Sequence, residues 1–513
     1  MNEVSETMSH KQPGPPEFVS PHLQENLDFL TDKLGIGISF DVLIRELVIG
    51  SKKIALIFID GFANGEVITL ILQNLTKLDR SDMCPDPLKK LVENNIPYME
   101  MDTSNVLPEI IDQLLAGQML IFIDGATEAV LVDVRQYPVR GPEEPDTERL
   151  TRGSRDGFVE TMLFNVALTR RRVRDPGLRV EAIKLGRRSK TDVVIMYIND
   201  IVNPELLAVI KTRLDHIDVD GIPMAEKSVE EFITEGTWSF FPLVRYTERP
   251  DVAATHLFEG HVILLVDTSP AAMILPATFF HHLQHAEEFR QSVASGIYIR
   301  WIRFIGIFLS VFLAPLYLLV SLQPELLPEA LNFIGPKEVG NVPLFLQFII
   351  VHIGIDLVRM AGIHTPNPLG TAMGLIAALL IGQIAIDVGM FTPEVLLYGG
   401  LVAVGMFATP SYELSLSNRL VHLMMLVLTG LFRLPGFIAG IAITFLRLVT
   451  NKSFGVPYLW PLFPLNIKAL WSIVIRQPVP MQVKRPSALK PLDGDRVPTK
   501  DGKPVKVARK KKK

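Results

Sequence analysis

The densest group of side chains able to do chemistry lies in FFHHLQHAEEF, which carries His281, His282 and His285 with Glu287 and Glu288. His282 and His285 fall about one helical turn apart, a spacing that can hold zinc. No cysteine ligand is near, and a long apolar run follows. The segment is therefore read as an interfacial helix presenting polar side chains, with no metal site. Asp60, Asp124 and Asp267 end strand-like runs, two of them directly before glycine. Ligands gather at strand C-termini in α/β sheets, but Asp-Gly is also ordinary turn chemistry. No phosphate loop or dinucleotide fingerprint accompanies them, so they are read as turns.

Arg170, Arg171, Arg172 and Arg174 crowd the end of a helix-like run, Phe158–Arg174, where the helix dipole favours cations. We assign Arg170, Arg171 and Arg172 to contacts between lobes or neighbouring subunits rather than to a phosphate or lipid site. The single cysteine, Cys84, rules out an intrachain disulfide and has no evident histidine partner, so it is read as a bystander. With no nucleophile–base pair, metal set or phosphate loop, the expectation is no enzymatic activity, no catalytic residue and no cofactor.

Another set of polar residues stands in apolar surroundings. Gln383 and Asp387 lie about one turn apart in LIAALLIGQIAIDVG. Polar groups inside a membrane are costly and are functional candidates for that reason. Gly370, Gly374 and Gly382, at multiples of four, permit close packing of a neighbouring helix on one face. Either Gln383 and Asp387 line a pore from another face, or Gln383 bonds a neighbouring helix and Asp387 is interfacial. His364 and Asn367 precede this span, while Tyr412 and Glu413 end the next one.

These residues belong to two very different halves. Residues 297–480 hold seven acids and ten bases, whereas the first 296 are charged at ordinary globular density. The whole chain has 513 residues and a net charge of -4, which excludes a strongly basic nucleic-acid binder. In the first half, KIALIFIDGFANGEVITLILQNL is matched by DVVIMYINDIVNPELLAVIKTRL, and LAGQMLIFIDGATEAVLVD by FEGHVILLVDTSPAAMILP, at offsets of about 140 residues. Each block reads as strand, turn, helix, spacer and second strand. The fold class expected is an α/β soluble half made of two similar lobes, followed by an α-helical transmembrane bundle of about four spans with one re-entrant or interfacial helix. The divisions are a disordered N-terminus at 1–24, lobe 1 at 25–135, a linker at 136–157, a connecting helix and basic turn at 158–189, lobe 2 at 190–296, the transmembrane domain at 297–480, and a basic disordered tail at 481–513.

A membrane helix needs about 20 largely uncharged residues. Phe304–Pro324, Leu369–Ile386 and Val395–Tyr412 meet that need, as does Leu420–Leu446, where Arg433-Leu434-Pro435-Gly436 demands a kink or a pair of half-helices. Val342–Ile355 is apolar for only 14 residues before Asp356, which suits a re-entrant or interfacial helix. Residues 1–20 lack an apolar core, so the soluble half is expected to stay cytoplasmic. Arg300, Arg303, Arg447, Lys452, Lys468 and Arg476 place both termini on that side, which favours an even count of four. The tail from Lys484 to Lys513, with twelve bases against three acids, is expected to seek anionic lipid rather than nucleic acid.

Arg152–Ile201 resembles the signature stretch of the GerA family of spore germination proteins, as do YTERPD (Tyr246–Asp251), EGHVILLVDTSP (Glu259–Pro270) and Leu375–Gly389. The resemblance covers about residues 25–480. TMLFNVALTRRR and TFFHHLQHAEEFR set the chain apart from the family's nutrient-receptor A subunits. The resemblance implies a multi-pass protein of the spore inner membrane that forms a homo-oligomer, associates with other germination membrane proteins, and forms or helps form an ion channel.

Overall fold

The computed structural model describes residues 17–83, 87–90, 101–137, 148, 150–234, 238–335, 341–364, 383–497, 499–500 and 503–504. Cys84, Asn367 and most of Leu369–Ile386, with Gly370, Gly374 and Gly382, lie outside them, as does the lysine-rich end of the tail.

Lobe 1 begins with helix α1 (Leu23–Leu34). Its buried Leu23, Leu27, Leu30 and Leu34 recur at helical spacing, and Gly35 ends it in the left-handed conformation (φ 67°). Strands β1 (Val42–Ile49) and β2 (Lys52–Ile59) follow, then α2 (Gly65–Leu75), whose cap Asn64 accepts from the Glu66 and Val67 amides. Next come β3 (Met101–Ser104), α3 (Leu107–Leu115), β4 (Met119–Ile123) and β5 (Ala129–Val132). The sheet order is β1-β2-β4-β5-β3, and every neighbouring pair is antiparallel. β4 is buried throughout because α1 and α3 cover one face of the sheet and α2 the other.

Lobe 2 repeats this plan. α4 (Met162–Arg170) stands where α1 stood, followed by β6 (Leu178–Leu185), β7 (Thr191–Ile198), α5 (Pro204–Asp215), α6 (Ala225–Ile233), β8 (Arg245–Thr247), α7 (Pro250–Glu259), β9 (Val262–Val266) and β10 (Ala272–Leu275). Its order, β6-β7-β9-β10-β8, is the same. The lobe therefore starts well before residue 190. β6 pairs with β7 over eight positions, from Leu178↔Ile198 to Leu185↔Thr191. Arg179, Glu181 and Lys184 interrupt its apolar pattern, which is why the strand reads as a basic turn in sequence. The expected helix Phe158–Arg174 contracts to α4, and Phe158 is buried as part of the lobe core.

The C-terminal half holds α8 (Val293–Leu322), α9 (Leu344–His364), α10 (Pro393–Phe407), α11 (Tyr412–Thr450) and α12 (Ile467–Val474). Among the described residues, α8 and α11 are long and apolar enough to cross a membrane. α11 is not one straight rod. Arg433 has φ 55° and ψ -134°, and the chain doubles back there. A Cβ at Gly436 would fall 1.9 Å from the Leu428 carbonyl oxygen, and one at Gly440 2.4 Å from the Met425 sulfur. Two antiparallel arms thus form, the pair of half-helices that the sequence allowed as the alternative to a kink. Its apex meets the far end of α8, where the Leu434 amide donates to Gln323 Oε1 (3.0 Å).

α9 departs from the expected short re-entrant or interfacial helix. It continues past Asp356 for 21 residues in all, about 30 Å at 1.5 Å per residue. Asp356 ended the apolar run in sequence, but in the fold Arg419 of α11 pairs with it (2.7 Å), so the helix has no electrostatic reason to stop. The tail departs as well: residues 483–496 dock on lobe 2, with Leu489 buried and the Leu492 amide donating to the Ile201 carbonyl (2.9 Å).

Candidate functional site

Lobe 2 and the bundle meet at a cavity of about 1110 Å³. α6 supplies Glu226, Glu230 and Glu231, the edge around β8 supplies Arg245 and Glu248, and Glu148 completes that wall. The bundle contributes Arg359 and the start of α11, with Ser411, Tyr412 and Glu413. Among the described residues, six carboxylates face three cations, Lys227, Arg245 and Arg359. An excess of one sign in a low-dielectric cleft favours counter-ions, and this acid-rich vestibule lies at the edge of the apolar bundle.

The groups lining it are held in place. Glu230 accepts from Lys227 Nζ (2.6 Å) and Tyr246 Oη (2.5 Å). Burial pushes the Glu148 carboxyl up, against the pull of Arg245. Arg359 lies over the Tyr412 ring, 4.8 Å from its centroid. Ser411 caps α11 by accepting from the Leu414 amide, and its hydroxyl donates to Glu413 Oε2 (2.7 Å). With that proton spent, the 3.1 Å contact to His282 requires His282 Nδ1–H to donate to Ser411 Oγ. Burial, reinforced by Arg245, holds His282 down to about 3.

The histidine cluster therefore differs from the interfacial helix expected for it. His281 and His282 occupy a short 3-10 turn and point inward, buried at 9% and 1% exposure, because the segment is pinned between lobe 2 and the bundle. Glu288 does much of that pinning. It is fully buried, accepts from Arg300 Nε (2.6 Å) and pairs also with Arg303, while Arg300 Nη1 donates to the Ile473 carbonyl (2.6 Å).

Below the vestibule a polar stripe follows the buried face of α11: Ser415, Asn418, Arg419, His422 and Thr429. The first four recur at three- and four-residue steps and Thr429 stands two turns beyond His422, so they share one side of a helix. His422 Nδ1 donates to the Val311 carbonyl (3.1 Å), which leaves its Nε2 to accept from His352 Nε2–H at 2.9 Å. Sequence reading missed this stripe. Its signal was there, since spans with polar residues at helical spacing invite that question, but the partners of Arg419 and His422 lie 60 or more positions away, on α9 and α8.

Gln383 and Asp387 line neither feature; among the described residues they stand on a helical stretch at 383–387, where both are exposed on the single chain. The arginines are brought to the seam of the lobes. Arg170 is buried against Asp41, with Nη2 to Oδ1 at 3.0 Å, joining α4 to the start of β1. Arg171 stacks on Tyr137, 4.4 Å from its centroid, and Arg172 pairs with Asp156. Asp124 and Asp267 cap equivalent helices, accepting from Leu23 at the head of α1 (3.3 Å) and Met162 at the head of α4 (3.2 Å), while Asp60 accepts from the Gly61 amide.

Residues 28–488 match the family model described as Bacillus/Clostridium GerA spore germination protein. The chain is 47% identical over 475 residues to stage V sporulation protein AF of Bacillus subtilis (strain 168), covering 93% of this chain and 96% of that protein. It is 30% identical over 480 residues to spore germination protein KA of the same organism, covering 92% and 88%. The crystal structure of the N-terminal domain of the A subunit of the Bacillus megaterium spore germinant receptor GerK3 aligns with 52% of this chain and 98% of that one, at 30% identity and a TM-score of 0.42.

Proposed function

Because the chain belongs to the GerA family of spore germination proteins, we propose that it is a subunit of an oligomeric ion channel of the spore inner membrane, accessory to the nutrient germinant receptors. The observation that carries this reading is the acid-rich vestibule set where lobe 2 meets the apolar bundle. A pore shared by several copies is lined by side chains exposed on the isolated chain, and Gln383 and Asp387 meet that condition. Arg300 and Arg303 at one end of α8, and Lys452 beyond α11, lie beside lobe 2, which supports an even number of crossings with both termini cytoplasmic. The basic tail would add contact with anionic lipid.

A second reading has its own support. Arg419 with Asp356, and His422 with His352, satisfy one another within a single chain, as in a non-conducting scaffold for germination-receptor or dipicolinate-channel partners. Ion flux through liposomes holding the purified protein separates the two. A channel carries potassium above the level of empty vesicles, and a scaffold does not. In spores, Asp387→Asn alters potassium release without abolishing assembly, and unchanged efflux would remove Asp387 from the pore.

A further inference from the structure

We propose that His256, Glu259 and His261 form a binding site for a divalent transition-metal cation of zinc type, built where α7 turns into β9. His256 and Glu259 are three residues apart in the last turn of α7, so they share a face. Gly260 then takes the left-handed conformation (φ 97°) and reverses the chain, and the His261 amide donates to the His256 carbonyl (3.1 Å). The sequence H-x-x-E-G-H thereby brings three donor atoms within 4.8 Å of one another.

The hydrogen bonds leave the donor atoms free. His256 Nδ1 donates to the Val252 carbonyl (2.8 Å), which fixes the ring and keeps the Nε2 lone pair for a ligand. His261 is fully buried with main chain at Leu275 and Pro276 beside its ring, and among the described residues neither ring nitrogen completes a hydrogen bond. An imidazole buried without a partner is costly, and a metal bond removes that cost. Glu259 offers Oε2, 3.9 Å from His261 Nε2, while Oε1 is held by Arg496 of the docked tail (2.5 Å).

Nearby groups define the rest of the site. His281 stacks edge-on to both rings, with centroids 5.9 Å from His256 and 4.9 Å from His261. Its Nδ1 accepts from the Thr278 amide (3.1 Å), so its Nε2 carries a proton and it stays outside the ligand set. Arg245 is the opposing cation, and Glu148 at 3.9 Å offsets it. Two imidazoles and one carboxylate suit zinc-like ions and disfavour calcium and magnesium, which take all-oxygen sets. A water would fill a fourth position.

The test is zinc and cobalt(II) binding to the full-length, untagged protein in detergent after chelator treatment. Wild type takes up one zinc per chain, and its cobalt complex shows the visible bands of a low-symmetry four-coordinate ion. His261→Gln and Glu259→Gln each weaken binding at least ~100-fold, beyond what loss of a mere supporting hydrogen bond costs. The exposed His216→Gln leaves binding unchanged. The proposal is overturned if wild type binds no more zinc than His261→Gln, or if His216→Gln loses binding equally. Should His261→Gln fail to fold, Glu259→Gln and the wild-type stoichiometry decide. Liposome flux is not a readout here, so this result stands apart from the channel reading.

Discussion

Arg170 and Asp41 come from different lobes, and both lie out of water at 1% exposure or less. Removing one member of such a pair strands the other, at about 3–5 kcal/mol. Asp41→Ala should therefore lower the denaturation midpoint sharply, whereas Asp41→Leu with Arg170→Met should recover much of the loss. Chemical denaturation of the detergent-solubilised protein measures both. His282 and His285 give a pH dependence of known sign. Burial first, then nearby arginines, lowers them from an ordinary 6.5 to about 3 and about 4. The unfolded chain thus binds more protons than the folded one between those values and 6.5. Their contribution is complete above pH ~6.5 and declines as the pH falls, to about 4 for His285 and about 3 for His282. His282→Gln should flatten that decline, and a midpoint that rises on acidification would contradict it.

At the scale of elements, the hairpin of α11 brings together residues far apart along the helix. In a straight helix residues 425 and 440 would stand about 22 Å apart at 1.5 Å per residue. In this fold a Cβ at 440 touches the Met425 side chain. With Cys84 replaced by serine, Met425→Cys and Gly440→Cys should cross-link in membranes, and adding Gly436→Val should abolish the bond. No cross-link in the first variant would restore the single kinked span. Sequence foresaw the break, because Arg433-Leu434-Pro435-Gly436 cannot continue a helix, but nothing local fixes how far a chain turns. The two lobes were legible through their apolar central strands, β2 with β4 and β7 with β9. The outer strands β1 and β6 were not, since one solvent-facing side puts charges such as Arg45 and Lys184 among the apolar residues. α9 was cut short for a related reason, as Asp356 finds its partner 63 residues away. The vestibule was invisible, because its carboxylates come from Glu148, the 226–248 region and Glu413, and only the tertiary fold gathers them.

The whole molecule couples a pair of α/β lobes to an apolar bundle through Glu288, Arg300 and Arg303. Glu288→Gln should loosen that joint and expose the 285–299 region to protease without unfolding either lobe. If the vestibule feeds a pore, its charge must govern which ions enter. Fields of this kind act most strongly at low ionic strength, where the Debye length reaches about 30 Å at 0.01 M. The direct measurement is conductance of the purified protein in planar bilayers at low and high potassium chloride, comparing wild type with a Glu231→Gln, Glu413→Gln variant. Cation-selective current, reduced by the double substitution at low salt and little changed at high salt, is the result expected. Absence of current above the protein-free bilayer, or selectivity indifferent to those two carboxylates, would contradict it.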